Sequence, residues 1–257
     1  ETTEFLNRVM DLALSSDDLF ALEDRTEGWV AGLQLAALSM QGLDERNRHD
    51  FVSDFTGSSR HIVDYLLDEV LARRPEGSKD FLLKTSILER MNGSLCDAVL
   101  GFGEGEGRSE STGANSQEIL EQLEQANLFI VPLDDRRQWY RYHHLFRDLL
   151  SIRLKQSCPE WIHALHRRAS QWYEGKAHWD EAIRHALAAG EYETAARLVE
   201  QNAMETFIRS ELARLIKWID ALPDDLVRDR PWLNVYHAWA SRLSGAPLAD
   251  VESRLQA

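Results

Sequence analysis

A run of glycines is the first feature of this sequence that could have a chemical role, namely the binding of a phosphate group. Loops that cradle phosphate groups are rich in glycine, because their backbone must approach the anion closely. The run from Gly101 to Gly107 follows no strand-like segment, however, and it includes Glu104 and Glu106, whose carboxylates would repel phosphate. The sequence also contains no Gly-x-x-x-x-Gly-Lys-Ser/Thr motif. We therefore predict a flexible loop from Gly101 to Gln117 and no nucleotide site.

Histidines form the second group that could do chemistry. His163 and His166 would share one face of a helix, and His178 and His185 follow nearby. Imidazole is a common zinc ligand, but no Cys, Asp or Glu stands near them at a spacing typical of a zinc motif. Neither a Gly-x-Ser-x-Gly elbow nor a Cys and His signature is present, although a triad built from distant residues stays open. We predict that the chain binds no metal and is not an enzyme.

The charge of the chain argues against a nucleic-acid partner. It carries 29 Lys and Arg against 43 Asp and Glu, a formal net charge of −14. Affinity for DNA depends on basic side chains that displace counterions from the phosphates. We therefore expect this chain to bind DNA poorly.

The first predicted elements are helices. Phe5, Val9 and Leu12 are spaced as on a helix that is already under way, so we expect the chain to begin inside a helical domain. Ser15 to Asp17 would cap the next helix, and a further helix is predicted from Gly28 to Gln41. In that helix Gly28, Gly32 and Ala36 would form a stripe of small residues, which lets another backbone or a ligand approach closely. Another amphipathic helix is predicted at about 59–73.

The segment that follows has the order of a winged helix, which is three helices and then a hairpin. Its predicted elements are helices at 79–88 and 95–100, a third helix capped by Asn115, β-prone runs at 129–131 and 139–142, and a helix at about 143–156. The third helix presents Glu118, Glu121 and Glu124 and no Lys or Arg. Phosphates would repel it, so we predict a winged helix that serves packing or regulation and does not read DNA.

From residue 158 onward, helices of about a dozen residues alternate with short breaks. Large aromatic residues alternate with alanines along them, as in stacked helix pairs of the tetratricopeptide (TPR) type. The predicted fold is therefore mostly α: a helical lid remnant (1–75), a winged helix with a small β-hairpin (76–157), and the start of a TPR-like α-superhelical repeat domain (158–257). We expect these repeats to continue past Ala257.

Two segments resemble a known family. Arg25–Ser39 (RTEGWVAGLQLAALS) and Tyr140–Leu150 (YRYHHLFRDLL) are similar to signature segments of the large ATP-binding LuxR-family regulators, the MalT-like activators. The order and spacing of the two segments agree with the family, and the likeness extends more weakly beyond Pro159. The resemblance implies an ATPase domain before this chain and a helix-turn-helix domain after it, with the lid's end, the winged helix and the start of the sensor within it.

The resemblance also implies site residues. Tyr142 to Leu145 is similar to the Met-His-Asp motif of the wider STAND class of signalling ATPases, which places His143 at the β-phosphate of ADP. Gly28-Trp29-Val30 is similar to the Gly-Leu-Pro motif of the lid near adenine, although Val30 replaces proline and a second register at Gly32 fits as well. From the residues alone, His143 could equally cap a helix or lie in a core, and Trp29 has the character of a core residue.

The expected function is that of the regulatory, signal-sensing middle segment of an ATP-dependent LuxR-family (MalT-like) transcription regulator. The segment would couple nucleotide state and an unknown inducer on the repeat domain to self-association. No cofactor is expected in the fragment itself, and ATP or ADP is expected in the full-length protein, held with the neighbouring ATPase domain. DNA would be bound only through the C-terminal domain. A free-standing helical-repeat scaffold for protein interactions is the main alternative, and a hydrolase with an unrecognised site is a third.

The expected location is the cytoplasm, with no membrane partner. No apolar run approaches the roughly 18 residues of a membrane span, and the first residues lack the pattern of a signal peptide. Two cysteines, Cys96 and Cys158, are too few for a disulfide scaffold and suit a reducing compartment.

Overall fold

The computed structural model of the chain describes residues 2–55, 76–102, 115–126 and 129–245. The fold is mostly α, as predicted, with one two-stranded antiparallel sheet among the described residues. The chain divides into two compact units, Glu1–Pro159 and Glu160–Ala257. The elements of the first unit are α1 (Ser16–Thr26), α2 (Val30–Met40), α3 (Glu45–Asp54), α4 (Glu76–Thr85), α5 (Gly93–Leu100), α6 (Ser116–Gln125), β1 (Ile130–Pro132), β2 (Tyr140–Tyr142) and α7 (His144–Ser157).

The first helices begin where the sequence predicts a cap. The Ser15 hydroxyl accepts a hydrogen bond from the backbone N–H of Asp18 at 3.1 Å, which satisfies one of the free donors of α1. The Asp44 carboxylate caps α3 in the same way. Arg25, near the end of α1, donates to backbone carbonyls at the end of α3, among them that of Ser53 at 2.7 Å. The positive charge of Arg25 interacts favourably with the negative C-terminal end of the α3 dipole, and this helps to hold α1 against α3.

The predicted register of the first segment is wrong. Glu4–Val9 forms a π-helical turn in which Leu6 is buried, while Val9 is 69% exposed. Asp11 then adopts a left-handed backbone conformation (φ 55°). Leu12 is buried, but it lies after the end of the helix. A π turn inserts an extra residue into the helical repeat and thereby shifts which side chains face the core.

The winged-helix order of three helices followed by a hairpin is confirmed. The side chain of Asn115 caps α6 by accepting from the backbone N–H of Glu118 at 2.9 Å, as its spacing predicted. In the hairpin, Ile130 pairs with Tyr142 and Pro132 with Tyr140. Tyr140 also exchanges backbone hydrogen bonds with Met91, at 2.8 Å in each direction, which ties the segment before α5 to the sheet.

The second unit is a succession of helices connected by short turns. Its elements are α8 (Pro159–Gly175), α9 (Trp179–Ala188), α10 (Tyr192–Ile208), α11 (Leu212–Asp220), α12 (Asp224–Arg228) and α13 (Pro231–Leu243). Neighbouring helices pack through small buried residues, such as Ala182 and Ala186 of α9 and Ala195 of α10. The match to TPR repeats stays a prediction.

Parts of the predicted organisation cannot be compared with the structure. The helix predicted at 59–73 and residues 103–114 of the predicted glycine-rich loop lie outside the described residues. The predicted domain bounds at 75 and 157 stay predictions, and the two compact units meet between Pro159 and Glu160. Among the described residues, no helix is both long enough and apolar enough to cross a membrane.

Candidate functional site at the end of the lid and the winged helix

The segment Thr26–Trp29 forms the lid side of the candidate site. α1 ends at Thr26, and Glu27 (φ 48°) and Gly28 (φ 73°) then adopt left-handed backbone conformations in succession. Two such residues reverse the chain, so Trp29 becomes the residue that precedes α2. Gly28 is therefore not part of a helix, which corrects the predicted stripe. A Cβ atom on Gly28 would meet nothing within 4 Å, so no close contact requires glycine at this position. The positive φ angle of Gly28 is what favours glycine here.

Gly32 does permit a close approach, but the group that approaches is Trp29 of the same chain. A Cβ atom on Gly32 would lie 2.3 Å from Cε3 of the Trp29 ring. That ring packs edge-on against Phe129, with centroids 4.8 Å apart. The small residue at position 32 thus seats Trp29 between the start of α2 and the winged helix.

The winged-helix side of the site is the point where β2 ends and α7 begins. His143 is the residue that precedes α7, yet its side chain makes no capping hydrogen bond. Its backbone N–H donates to the carbonyl of Phe129 at 2.7 Å, which fixes the strand-to-helix connection. The side chain of His143 is buried and points toward the end of α1.

The structure brings the three predicted site residues together. Nε2 of His143 lies 2.7 Å from the carbonyl oxygen of Thr26, the last residue of α1. A carbonyl only accepts, so Nε2 carries the proton and donates. The rings of His143 and Trp29 have centroids 6.0 Å apart, and Gly28 lies between Trp29 and the end of α1. We call this arrangement, from Thr26–Trp29 on one side and Phe129 and Arg141–His144 on the other, the lid–wing junction.

Sequence reasoning missed the central residue of the junction, Glu27. Its Oε1 atom accepts hydrogen bonds from Nη1 of Arg141 at 2.8 Å and from Nδ1 of His144 at 2.7 Å, and its Oε2 lies 4.0 Å from Nε2 of His143. Partial burial opposes ionisation of Glu27, but these donors outweigh it and lower its pKa to about 2. The carboxylate is therefore ionised at neutral pH and binds the winged helix to the lid.

His143 has one nitrogen with no partner. Burial lowers the pKa of its imidazole, which favours the neutral ring, although the Thr26 carbonyl and Glu27 act in the opposite direction. With the proton on Nε2, the neutral ring leaves Nδ1 as a bare acceptor. Nδ1 is buried and has no hydrogen-bond partner among the described residues. Such a group is costly unless another donor or a proton reaches it.

The donors of the junction suit an anion better than a metal ion. Glu27, His143 and His144 each offer one atom that could ligate a metal, and these atoms lie within 4.8 Å of one another. The guanidinium of Arg141, however, already balances the charge of Glu27, so a divalent cation would bring uncompensated positive charge. Arginine and imidazole donors that converge on a carboxylate are the groups that also bind phosphate oxygens.

The repeat-helix histidines form no comparable cluster. His166 and His185 share one hydrogen bond between their Nδ1 atoms at 2.8 Å, and His163 lies 3.3 Å from a carboxylate oxygen of Glu191. Within the described residues, the junction is the one group of three or more His, Cys, Asp or Glu that could hold a metal ion.

The face of α6 remains acidic in the folded protein. Glu118 and Glu121 are exposed, and Glu124 is paired with Arg137 at 3.3 Å and accepts from the Tyr140 hydroxyl at 3.2 Å. The helix that would enter a DNA groove in a DNA-binding winged helix therefore presents two exposed acidic side chains to solvent. That it does not read DNA stays a prediction.

Comparison with known proteins gives both a domain family and longer relatives. Residues 67–162 match the MalT winged helix domain family. The chain is 33% identical over 247 residues, 96% of its length, to the serine/threonine-protein kinase PknK of Mycobacterium tuberculosis. It is 32% identical over 240 residues to the HTH-type transcriptional regulator MalT of Klebsiella pneumoniae, and 32% over 242 residues to MalT of Yersinia pestis.

The matched relatives are much longer than this chain. The chain covers 93% to 96% of its own length in these matches, but it spans 21% of PknK and 25% to 26% of the two MalT proteins. The similarity therefore concerns one segment of each relative.

Proposed function

Because this chain is a MalT-like segment whose winged-helix domain belongs to the MalT family, we propose that it is the regulatory middle segment of an ATP-dependent transcription regulator. In this proposal it transmits nucleotide state and an inducer signal to self-association of the whole protein. DNA binding is the task of a C-terminal domain outside this chain. The segment itself turns over no substrate, and the protein acts in the cytoplasm.

The observation that carries the proposal is the lid–wing junction. One backbone carbonyl of the lid, at Thr26, accepts a hydrogen bond from the winged-helix residue His143 at 2.7 Å. The family resemblance assigns His143, Gly28 and Trp29 to the nucleotide, and these residues lie close together at this point. One ligand could therefore contact all three without a large movement of the chain. A group that binds here acts on both parts at once.

The junction residues fit a nucleotide phosphate. Nδ1 of His143 is buried and has no partner in the part of the chain that the structure describes, and a proton taken up there would turn it into a donor for an anionic oxygen. A bound ADP or ATP supplies that anion. His143 would hold the phosphate, Arg141 and His144 would balance its charge, and Trp29 would provide an apolar surface near the base.

The switch requires two states with different affinities. We propose that ADP favours a closed state, in which the lid and the winged helix are clasped against the neighbouring ATPase domain. ATP together with an inducer on the repeat unit would favour an open, self-associating state. A ligand shifts such an equilibrium only by its difference in affinity for the two states, so both ligands must distinguish them.

The test is the variant His143→Ala in the intact protein. We expect it to retain ADP less well and to raise basal transcription, because the closed state loses a contact on both sides. Release of bound ADP and output from a reporter promoter measure the two effects. His178→Ala is the control, since His178 is an exposed histidine of the second unit. Unchanged ADP retention together with unchanged basal output would refute the proposal.

A second candidate is a regulatory segment attached to a protein kinase. It is favoured by the 33% identity to PknK over 96% of this chain. In that case the same junction would report nucleotide or ligand state to a kinase domain in place of a transcription domain. The two candidates are distinguished by assaying the intact protein for promoter-specific DNA binding and for transfer of phosphate to serine or threonine.

A further inference from the structure

We propose that Glu27 is an internal competitor for the oxyanion site of the lid–wing junction. In this proposal its carboxylate occupies the donors of Arg141 and His144 and lies 4.0 Å from Nε2 of His143, and a phosphate-type oxyanion binds there only when Glu27 withdraws. The inference rests on the proposed function for its biological meaning, since it concerns regulation of the same site. It predicts a property of this chain that can be measured without the ATPase domain.

The first argument is the convergence of donors on one carboxylate. Nη1 of Arg141 and Nδ1 of His144 both donate to Oε1 of Glu27, at 2.8 Å and 2.7 Å. The rings of His143 and His144 are stacked, with centroids 4.9 Å apart and 17° between their planes, and Nε2 of His143 lies 4.0 Å from Oε2 of the same carboxylate. Guanidinium and imidazole groups bind carboxylate and phosphate oxygens with similar geometry, so a site that fits one fits the other.

The second argument is charge balance. With Glu27 in place, one carboxylate whose pKa is about 2 faces one guanidinium, and burial lowers the pKa of the His143 imidazole, which favours its neutral form. Without the carboxylate, Arg141 would be left without its anionic partner beside His143. An oxyanion with more than one negative charge restores the balance and favours protonation of His143.

The third argument is that Glu27 stands where the chain can turn. It is the residue after α1 and has a left-handed backbone, which is uncommon for a residue other than glycine. Gly28, which follows it, is left-handed too and has open space around its α-carbon. A change of backbone angles at these two positions would move the carboxylate and would break the hydrogen bond from the Trp29 N–H to the Thr26 carbonyl, so withdrawal of Glu27 is coupled to the connection between α1 and α2. The Glu27 side chain is also 24% exposed, so an anion in solution can reach its donors.

The test is a calorimetric titration of this chain with inorganic pyrophosphate at neutral pH. The parent, Glu27→Gln and the control Asp24→Asn are compared. Asp24 is exposed on the same helix, and its removal changes the net charge by the same amount. We expect Glu27→Gln to bind pyrophosphate at least about tenfold more tightly than the parent, which corresponds to about 1.4 kcal/mol. Asp24→Asn should bind like the parent, and adding Arg141→Ala to Glu27→Gln should abolish the gain.

A second variant allows the test to be made even if Glu27→Gln does not fold. Glu27→Asp keeps the negative charge but shortens the side chain by one methylene, so it loses reach to Arg141 and His144. It should show a smaller gain than Glu27→Gln, and thermal melts should show that all variants remain folded. If Glu27→Gln does not fold, Glu27→Asp alone decides: no gain over the parent overturns the inference.

Three results would overturn the proposal. One is equal pyrophosphate affinity of the parent and Glu27→Gln. Another is an equal gain in Asp24→Asn, which would mean a general charge effect. A third is stoichiometric Zn²⁺ binding by the parent that His144→Ala removes, because the cluster would then be a metal site.

The two proposals fail separately. If the intact His143→Ala protein loses ADP but Glu27→Gln gains no pyrophosphate affinity, the junction senses nucleotide without Glu27 as a competitor. If Glu27→Gln gains affinity while intact His143→Ala retains ADP normally, the anion site exists but does not serve the proposed switch.

Discussion

Acidification should destabilise the second unit through one buried histidine, His185. Its side chain is 0% exposed, its ring stacks on Tyr173 with centroids 5.5 Å apart, and its Nδ1 shares a hydrogen bond with Nδ1 of His166 at 2.8 Å. Burial lowers the pKa of His185 to about 2, and the charges of Arg184 and His166 act in the same direction. A hydrogen bond between two Nδ1 atoms also needs one of them unprotonated, so protonating both rings would break it.

The sign and size of the effect follow from the two pKa values. The ordinary value of 6.5 in the unfolded chain lies above the folded value, so the unfolded chain takes up a proton first as the pH falls. The contribution of neutral His185 is therefore complete above about pH 6.5 and is lost progressively toward the folded pKa. At about pH 5 the loss is about 2 kcal/mol, a large fraction of the roughly 5 to 15 kcal/mol that holds a typical domain folded.

Hydrogen exchange can measure this loss in the second unit alone. Protection of the amides of α8 and α9, corrected for intrinsic exchange rates, gives the opening free energy at each pH. We expect it to fall by about 2 kcal/mol between about pH 8 and about pH 5 in the parent and by much less in His185→Gln. His178→Gln, at an exposed histidine, should behave like the parent. Because the charge of His166 lowers the pKa of His185, the double variant His166→Gln/His185→Gln bounds the joint contribution of the pair. The same pH dependence in the parent and in His185→Gln would refute the argument.

Two further predictions concern packing in the first unit. Gly32→Ala should destabilise it by about 1 to 3 kcal/mol in a urea titration, because its Cβ atom would lie 2.3 Å from the Trp29 ring, whereas Gly175→Ala, with nothing within 4 Å, should be neutral or mildly stabilising. Thr85→Val should cost about 1 to 3 kcal/mol by leaving the buried Tyr142 hydroxyl, 2.7 Å from the Thr85 hydroxyl, without its acceptor. Adding Tyr142→Phe should recover part of that loss, and a double variant less stable than Thr85→Val would contradict this reasoning.

Local signals predicted the elements whose ends are fixed by neighbouring residues. Ser15 and Asn115 cap helices exactly where their spacing to the next backbone donors allows it. The hairpin was predictable because its two β-prone runs are separated by a short polar turn, in which the Asp134 carboxylate accepts from the backbone N–H of Trp139 at 2.9 Å. These features depend on contacts over a few residues, which a sequence displays directly.

The missed features depend on backbone conformations that periodicity does not reveal. The helical pattern around Trp29 extends back to Gly28, but two left-handed residues place the start of α2 at Val30. Likewise, the helical spacing of Phe5, Val9 and Leu12 predicted one continuous helix, whereas the π-helical turn ends at Val9, which is exposed. A prediction from hydrophobic spacing assumes a constant repeat of about 3.6 residues per turn, so it fails where the chain has an extra residue or a left-handed turn.

The candidate site was only partly predictable, for a related reason. The resemblance pointed to His143, Gly28 and Trp29, which lie near one another in the structure. Glu27 and Arg141 were not singled out, because their hydrogen bond joins residues 114 positions apart. Both lie inside the two signature segments, so the available signal was the presence of opposite charges beside the assigned residues. Pairing them required the fold.

The position of His143 explains how a small chemical event could act on a whole domain. Its proton on Nε2 is held by the last carbonyl of α1, where the negative end of the helix dipole favours positive charge. Burial opposes that charge and keeps the ring neutral. An oxyanion that reaches Nδ1 would favour the imidazolium, strengthen its hold on Thr26 and weaken the hold of Arg141 on Glu27, so the angle between α1 and α7 would come to depend on whether an anion is bound.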